Sequence, residues 1–155
     1  TFRCHHAPPL LHFYVRRWYN SRIREGREQT NMDHGQTLYE AIGGDATLRR
    51  LVDAFYPIVK QNPVIGPLFP EDVRPVMEKQ RRFLTQFLGG PPLYSELYGH
   101  PMMRARHLPF PITRESADAW LDCMRQALEA IGLEPSLRQL VLERLSGPAY
   151  HFVNR

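Results

Sequence analysis

Asp45-Ala46-Thr47-Leu48-Arg49-Arg50-Leu51-Val52-Asp53-Ala54-Phe55-Tyr56-Pro57-Ile58-Val59 is the stretch that decides the fold class. Leu48, Leu51, Val52, Phe55, Tyr56 and Val59 recur at i, i+3, i+4, i+7, i+8 and i+11, the stripe of a helix with one buried face. Asp45 is a candidate cap at its start, and Asn62-Pro63 marks its end. Two residues stand out within it. Tyr56 puts a phenol on the same side as the leucines. Pro57 removes a backbone donor and disfavours helical geometry at Tyr56, so a kink is expected there.

The helical period continues on both sides. Before the stretch, Thr37 can cap a short helix from Leu38 to Ile42, which Gly43-Gly44 stops. After it comes a short Pro-bounded piece, Pro63 to Pro70. A helix from about Val73 to Leu88 then carries Val76, Met77, Phe83, Leu84 and Phe87 on one face, with Gln80 among them. Gly89-Gly90-Pro91-Pro92 ends it, and residues 93–100 read as loop. A helical turn is expected from Pro101 to His107, with proline at its first position. Pro109 and Pro111 break the chain. Thr113 with Ser116 starts a long helix bearing Trp120, Met124, Ala127, Leu128 and Ile131, closed by Gly132. A last helix runs from about Pro135 to Val153, with Gly147-Pro148 expected to disturb it. No hairpin dipeptide with alternating flanks occurs, so the fold class is all-α.

Composition narrows the function classes. The chain has 155 residues, 43% hydrophobic and 23% charged, which suits one soluble domain. Residues 1–31 contain six arginines (3, 16, 17, 22, 24 and 27) against Glu25 and Glu28, and so carry the whole net charge of +4. The high pI therefore reports on this extension and gives no support to a nucleic-acid-binding domain. Residues 1–35 are expected to be a poorly ordered basic extension, and 36–155 the folded domain. The extension reads either as upstream sequence or as a basic arm for a membrane surface or partner. Its Cys4, His5, His6 and His12 could take up a stray metal ion, but a physiological site is not expected in such a setting. It makes a poor signal peptide, because Arg16 and Arg17 follow the apolar run. No run is long and apolar enough for a membrane span. Cys4 and Cys123 are the only cysteines, so a reducing, cytoplasmic setting is expected.

Four longer helices fit a four-helix bundle or a compact globin, and pattern alone leaves both open. The Glu-x-x-His pairs of di-iron bundles are absent, as are His-Glu-x-x-His and the phosphate-binding glycine loop. What remains is a set of polar groups on inward faces: Tyr56, Gln80 and Trp120. Each needs a hydrogen-bond partner or costs roughly 1–3 kcal/mol. Any one of them reads as a satisfied core residue; together they suggest a polar pocket in an apolar shell. His107 lies in Arg104-Ala105-Arg106-His107-Leu108-Pro109-Phe110. A lone histidine is more often structural than a ligand, but the neighbouring guanidinium groups suit carboxylates such as heme propionates, and neutral imidazole is an iron ligand.

At this point the chain resembles the truncated hemoglobins of group II. The segments Leu38-Tyr39-Glu40-Ala41-Ile42-Gly43-Gly44, Ala54-Phe55-Tyr56, Leu68-Phe69-Pro70-Glu71-Asp72 and Gln80-Arg81-Arg82-Phe83-Leu84 carry the resemblance. So do Leu88-Gly89-Gly90-Pro91-Pro92-Leu93-Tyr94, Gly99-His100-Pro101, Met103-Arg104-Ala105-Arg106-His107, Ala119-Trp120-Leu121-Asp122-Cys123-Met124 and Val153-Asn154. It runs from about residue 36 to 155 and implies a 2-on-2 helical sandwich around heme b, iron protoporphyrin IX.

The resemblance also implies roles. His107 would be the proximal, metal-binding residue, and Phe69 would wedge against the heme. Tyr56 would be the distal tyrosine and Gln80 a second distal polar group. Val76 would stand where a distal histidine is usual, and Trp120 would bring its indole N–H to the ligand while bordering the heme. Phe83 would wall the pocket. Lys79, Tyr94 and Arg106 would be propionate contacts, with Arg104 a weaker candidate. Oxygen bound by ferrous heme takes on partial negative charge, which such donors would stabilise at about 1.5–3 kcal/mol each. The implied function is reversible binding of O2 and other small ligands, for storage or delivery. A peroxidase-like or nitric oxide- or peroxide-detoxifying activity is the alternative, and any reductase would be a separate protein. A sensor acting through the basic extension is a third reading. Assembly as monomer or homodimer stays open.

Overall fold

The computed structural model describes residues 35–155. Among them are seven α-helices, one 3-10 turn and no strand. Helix α1 is Leu38–Ala41 and α2 is Gly44–Gln61; the 3-10 turn Gly66–Leu68 leads to α3, Arg74–Phe87. Then follow α4, Leu93–Tyr98; α5, Met103–His107; α6, Arg114–Ala130; and α7, Pro135–His151. Helix α2 packs on both α3 and α6, while α6 packs on α7. The two pairs α2/α3 and α6/α7 make the 2-on-2 sandwich.

Local chemistry accounts for most helix ends. Thr37 closes a capping box with Glu40: its Oγ1 accepts from the Glu40 amide at 3.2 Å, and the Glu40 carboxylate accepts from the Thr37 amide at 3.0 Å. Thr113 and Ser116 exchange the same bonds at the head of α6. Gly132, at φ +72°, terminates α6 as its position foretold. Helix α2 departs from expectation, because its cap is Gly43, in left-handed backbone, and not Asp45. That frees the Asp45 carboxylate for Arg49 and Arg81.

Neither proline breaks its helix. Helix α2 is continuous across Pro57, whose ring lies on the exposed face, so the backbone acceptor it leaves unmatched faces water. Helix α7 likewise runs through Pro148 to His151. Residues 93–98 form α4 and not a loop. Gln86 of α3 holds this segment by accepting from the Ser95 amide at 3.0 Å and donating to Ser95 Oγ at 2.8 Å, while Tyr94 is buried. Helix α5 starts two residues after Pro101. Met102 enters it in left-handed backbone, at φ +44°.

Leu48, Leu51, Phe55, Tyr56 and Val59 of α2, Met124, Ala127 and Leu128 of α6, and Val141 and Leu145 of α7 are closed to solvent; α6 packs on both other helices. Among charged residues described, Arg81 is buried. It bonds Asp45 at the head of α2 and Glu78 on its own helix, the latter at 2.7 Å. No helix among the described residues is long and apolar enough to cross a membrane.

Candidate functional site

Helices α2 and α3 bring Tyr56 and Gln80 together: the Tyr56 hydroxyl donates to Gln80 Oε1. Burial pushes the Tyr56 phenol far above its ordinary pKa, so it stays a donor across the physiological range. With its carbonyl so occupied, the Gln80 amide retains two N–H donors on Nε2. Aromatic edges fix this pair. Phe55 meets Tyr56 at 5.1 Å and Trp120 at 5.4 Å between centroids, and Phe69 meets the Tyr56 ring at 5.8 Å. The Trp120 indole makes no hydrogen bond among the described residues. Val76 and Phe83 share the Gln80 side of α3 and are half-buried, as are Gln80, Phe69 and Trp120.

A second group lies where α3, α4 and α5 meet. Tyr94 packs edge-on against Phe83 at 6.0 Å and at a tilt against Tyr98 at 4.9 Å. Lys79 Nζ sits 5.5 Å from the Tyr98 ring centre, and the Arg106 guanidinium 5.7 Å from that of Tyr94. Arg106 also donates to the carbonyls of Pro101 at 2.9 Å and Tyr98 at 3.3 Å, so part of its donor set braces the turn before α5. Arg104 is exposed on α5.

His107 ends α5. Its Nδ1 lies 2.6 Å from the Met103 carbonyl one turn back, which sets the tautomer: Nδ1 carries the proton and Nε2 the lone pair. Burial lowers its pKa, outweighing the opposing effect of the Met103 bond, so the ring is neutral. A ring of this form has the lone pair and the orienting hydrogen bond that a metal-ligating histidine requires. No group of three or more His, Cys, Asp or Glu is gathered for a bare metal ion among the described residues. A single neutral imidazole without protein co-ligands would fit an iron whose other ligands come from a macrocycle. The aromatic walls and the cations beside Tyr94 and Tyr98 suit an apolar disc with acidic edges. The donor set therefore fits heme.

Comparison with known proteins identifies the family. A family model described as "Bacterial-like globin" matches residues 37–154. The chain belongs to the group II truncated hemoglobins. It is 55% identical over 117 residues to the group 2 truncated hemoglobin YjbI of Bacillus subtilis, covering 76% of this chain and 88% of that protein. The group II truncated hemoglobin of Bacillus anthracis superposes with a TM-score of 0.75 at 51% identity, over 77% of this chain and 92% of that one. The X-ray structure of a truncated oxygen-avid haemoglobin from Bacillus subtilis does so with 0.74 at 54% identity, over 77% of this chain and all of the other. The chain is thus a heme-binding globin by family.

Sequence reasoning passed over three residues of this truncated hemoglobin. Arg81, one position from Gln80, was hidden because its partner Asp45 is distant in sequence, although the Glu78-to-Arg81 spacing was visible. Tyr98 fell in the expected loop. Phe152 stacks on the His107 ring at 4.1 Å with 9° between planes, and only the fold brings the two together.

Proposed function

We propose that this globin binds heme b through His107 and holds dioxygen or another small ligand by hydrogen bonds from a Tyr56, Gln80 and Trp120 cluster. The heme iron would supply the open coordination position. No Cys-x-x-Cys-His motif is present, so the group would be held non-covalently. His107 would ligate through Nε2, Phe69 and Phe83 would flank the ring, and Lys79, Tyr94 and Arg106 would face its propionates. Val76, an aliphatic group, would leave the distal side without an imidazole.

The observation that carries this reading is the Tyr56 to Gln80 bond within an aromatic wall. Tyr56 orients the Gln80 amide so that its N–H donors are directed away from the phenol. The Trp120 indole adds a further donor. Donors preset in an apolar, low-dielectric site stabilise developing negative charge without reorganisation. Such a site slows ligand release, which supports oxygen retention. The likeness to a Bacillus subtilis haemoglobin described as oxygen-avid points the same way.

The test is the oxygen dissociation rate of the heme-loaded ferrous protein. Gln80→Leu and Trp120→Phe should each release oxygen about 10–100-fold faster, as loss of one charge-assisted bond implies. Rates unchanged in both variants would remove the distal-cluster reading.

A further inference from the structure

The segment after α7 closes on the residues around His107 in a way that packing of an end segment does not require. Phe152 lies flat on the His107 imidazole, at 4.1 Å and 9°. Two residues on, Asn154 uses its whole amide. Its Nδ2 donates to the His107 carbonyl at 3.3 Å and to the Phe110 carbonyl at 3.0 Å. Its Oδ1 accepts from the Ile112 amide at 3.2 Å, and its own backbone N–H reaches the Ile112 carbonyl at 2.9 Å.

Helix α5 has five residues, too few to hold its own shape. Its last carbonyls have no helical partner, and that of His107 is one of them. The Phe110 amide and the Asn154 side chain fill this need. The imidazole has a second freedom, rotation about its Cβ–Cγ bond, whose energy well is broad. The Met103 carbonyl limits that rotation from one edge, and the Phe152 ring limits it from a face.

We propose that Phe152 and Asn154 are positioning residues for the proximal ligand. Phe152 fixes the plane of the His107 ring, and Asn154 fixes the backbone that carries it. The proposal rests on the reading of His107 as the iron's ligand. It assigns a role to the end of the described chain, which shares no residue with the distal cluster. Groups that orient a metal-bound histidine set both the strength and the geometry of the bond it makes.

The test uses the full chain loaded with hemin and has two readouts. One is the iron–imidazole stretching band of the ferrous protein by resonance Raman spectroscopy. The other is the rate of hemin transfer to an excess of acceptor apoprotein. Phe152→Leu and Asn154→Ala should each shift or broaden the band and speed hemin loss roughly 10–100-fold. Phe152→Tyr, which keeps the stacked ring, should restore the parent band. Should Asn154→Ala lose helical circular dichroism, Asn154→Asp replaces it, since it keeps the acceptor for Ile112 and sets an oxygen that cannot donate, and that repels, against the carbonyls of His107 and Phe110.

A parent band and parent hemin loss in both the Phe152 and Asn154 variants would overturn the proposal. His107→Gly separates that failure from failure of the underlying reading. If this variant retains the iron–imidazole band, His107 is not the ligand and both readings fall. If it loses the band while the other variants stay silent, only the positioning role falls.

Discussion

Met102 holds a left-handed backbone at the entrance to α5, which is costly for a residue with a Cβ, about 1–2 kcal/mol. The residue is 44% exposed, so its side chain contributes modest packing. Met102→Gly should therefore stabilise the fold by about 0.5–1 kcal/mol after the added freedom of the unfolded chain is offset. A urea midpoint below that of the parent protein would count against this. At the same scale, the site was partly legible from sequence. Tyr56, Gln80 and Trp120 could be read because each sets a polar atom on an apolar stripe, a conflict visible within one helix. His107 could be read because it stands beside Arg104 and Arg106. Asn154 and Phe152 gave no such signal as partners of His107, because the bond from Asn154 spans 47 positions and a phenylalanine in a helical tail looks like ordinary core.

Tyr39 of α1 lies against Gly44, at the head of α2, and Gly90, just past the end of α3. A Cβ at Gly90 would stand 2.8 Å from the Thr85 carbonyl oxygen and 2.8 Å from the Tyr39 ring, and one at Gly44 would touch the same ring at 3.7 Å. One glycine of each Gly-Gly pair is thus a seat for the same aromatic side chain. Gly90→Ala should cost about 1–3 kcal/mol, because a backbone oxygen cannot yield as a flexible side chain would. Thermal denaturation of the variant checks this, and a melting temperature equal to the parent's would refute it. Helix existence was otherwise well marked by period and caps. Helix α4 was missed because Pro91-Pro92 and its short length look like loop, while what holds it, the Gln86 clamp on Ser95, comes from another helix. Pro57 and Pro148 misled in the other direction. Proline at an exposed position on α2 removes one donor without opening the helix, since neighbouring packing holds the turns on either side.

The sandwich as a whole is tied at one point by charge. Asp45, Arg81 and Glu78 join the head of α2 to the middle of α3. Burial would raise the Asp45 carboxyl, but bonds from Arg49 and the charge on Arg81 outweigh it and leave it below its ordinary 3.8. The Arg81 bond, against a smaller opposing effect of burial, holds Glu78 below 4.5. Both folded values are depressed, so the stability they add is complete above the ordinary carboxylate range. It is lost as pH falls through the folded values. Denaturation midpoints should hold steady down to about pH 5 and then fall, and Asp45→Asn should flatten part of that fall. An identical acid profile in the variant would exclude the network as a cause. We also propose that residues 36–155 fold as a globin domain and take up heme without residues 1–35. A protein beginning at residue 36 should take up hemin with the Soret maximum of the full chain, and failure to do so would give residues 1–35 a part in the heme site. Cys4, His5, His6 and His12, like the basic arm that contains them, lie outside the described residues.

The docking of Asn154 on Ile112 also bears on how the protein is handled. The Arg155 amide reaches the Ile112 carbonyl as well, at 3.3 Å, so the final peptide units lie against the segment of chain behind α5. An affinity tag fused directly after Arg155 would begin at that surface. Protein tagged there should then lose colour during purification faster than the untagged chain, and a spacer of several flexible residues after Arg155 should remove the difference.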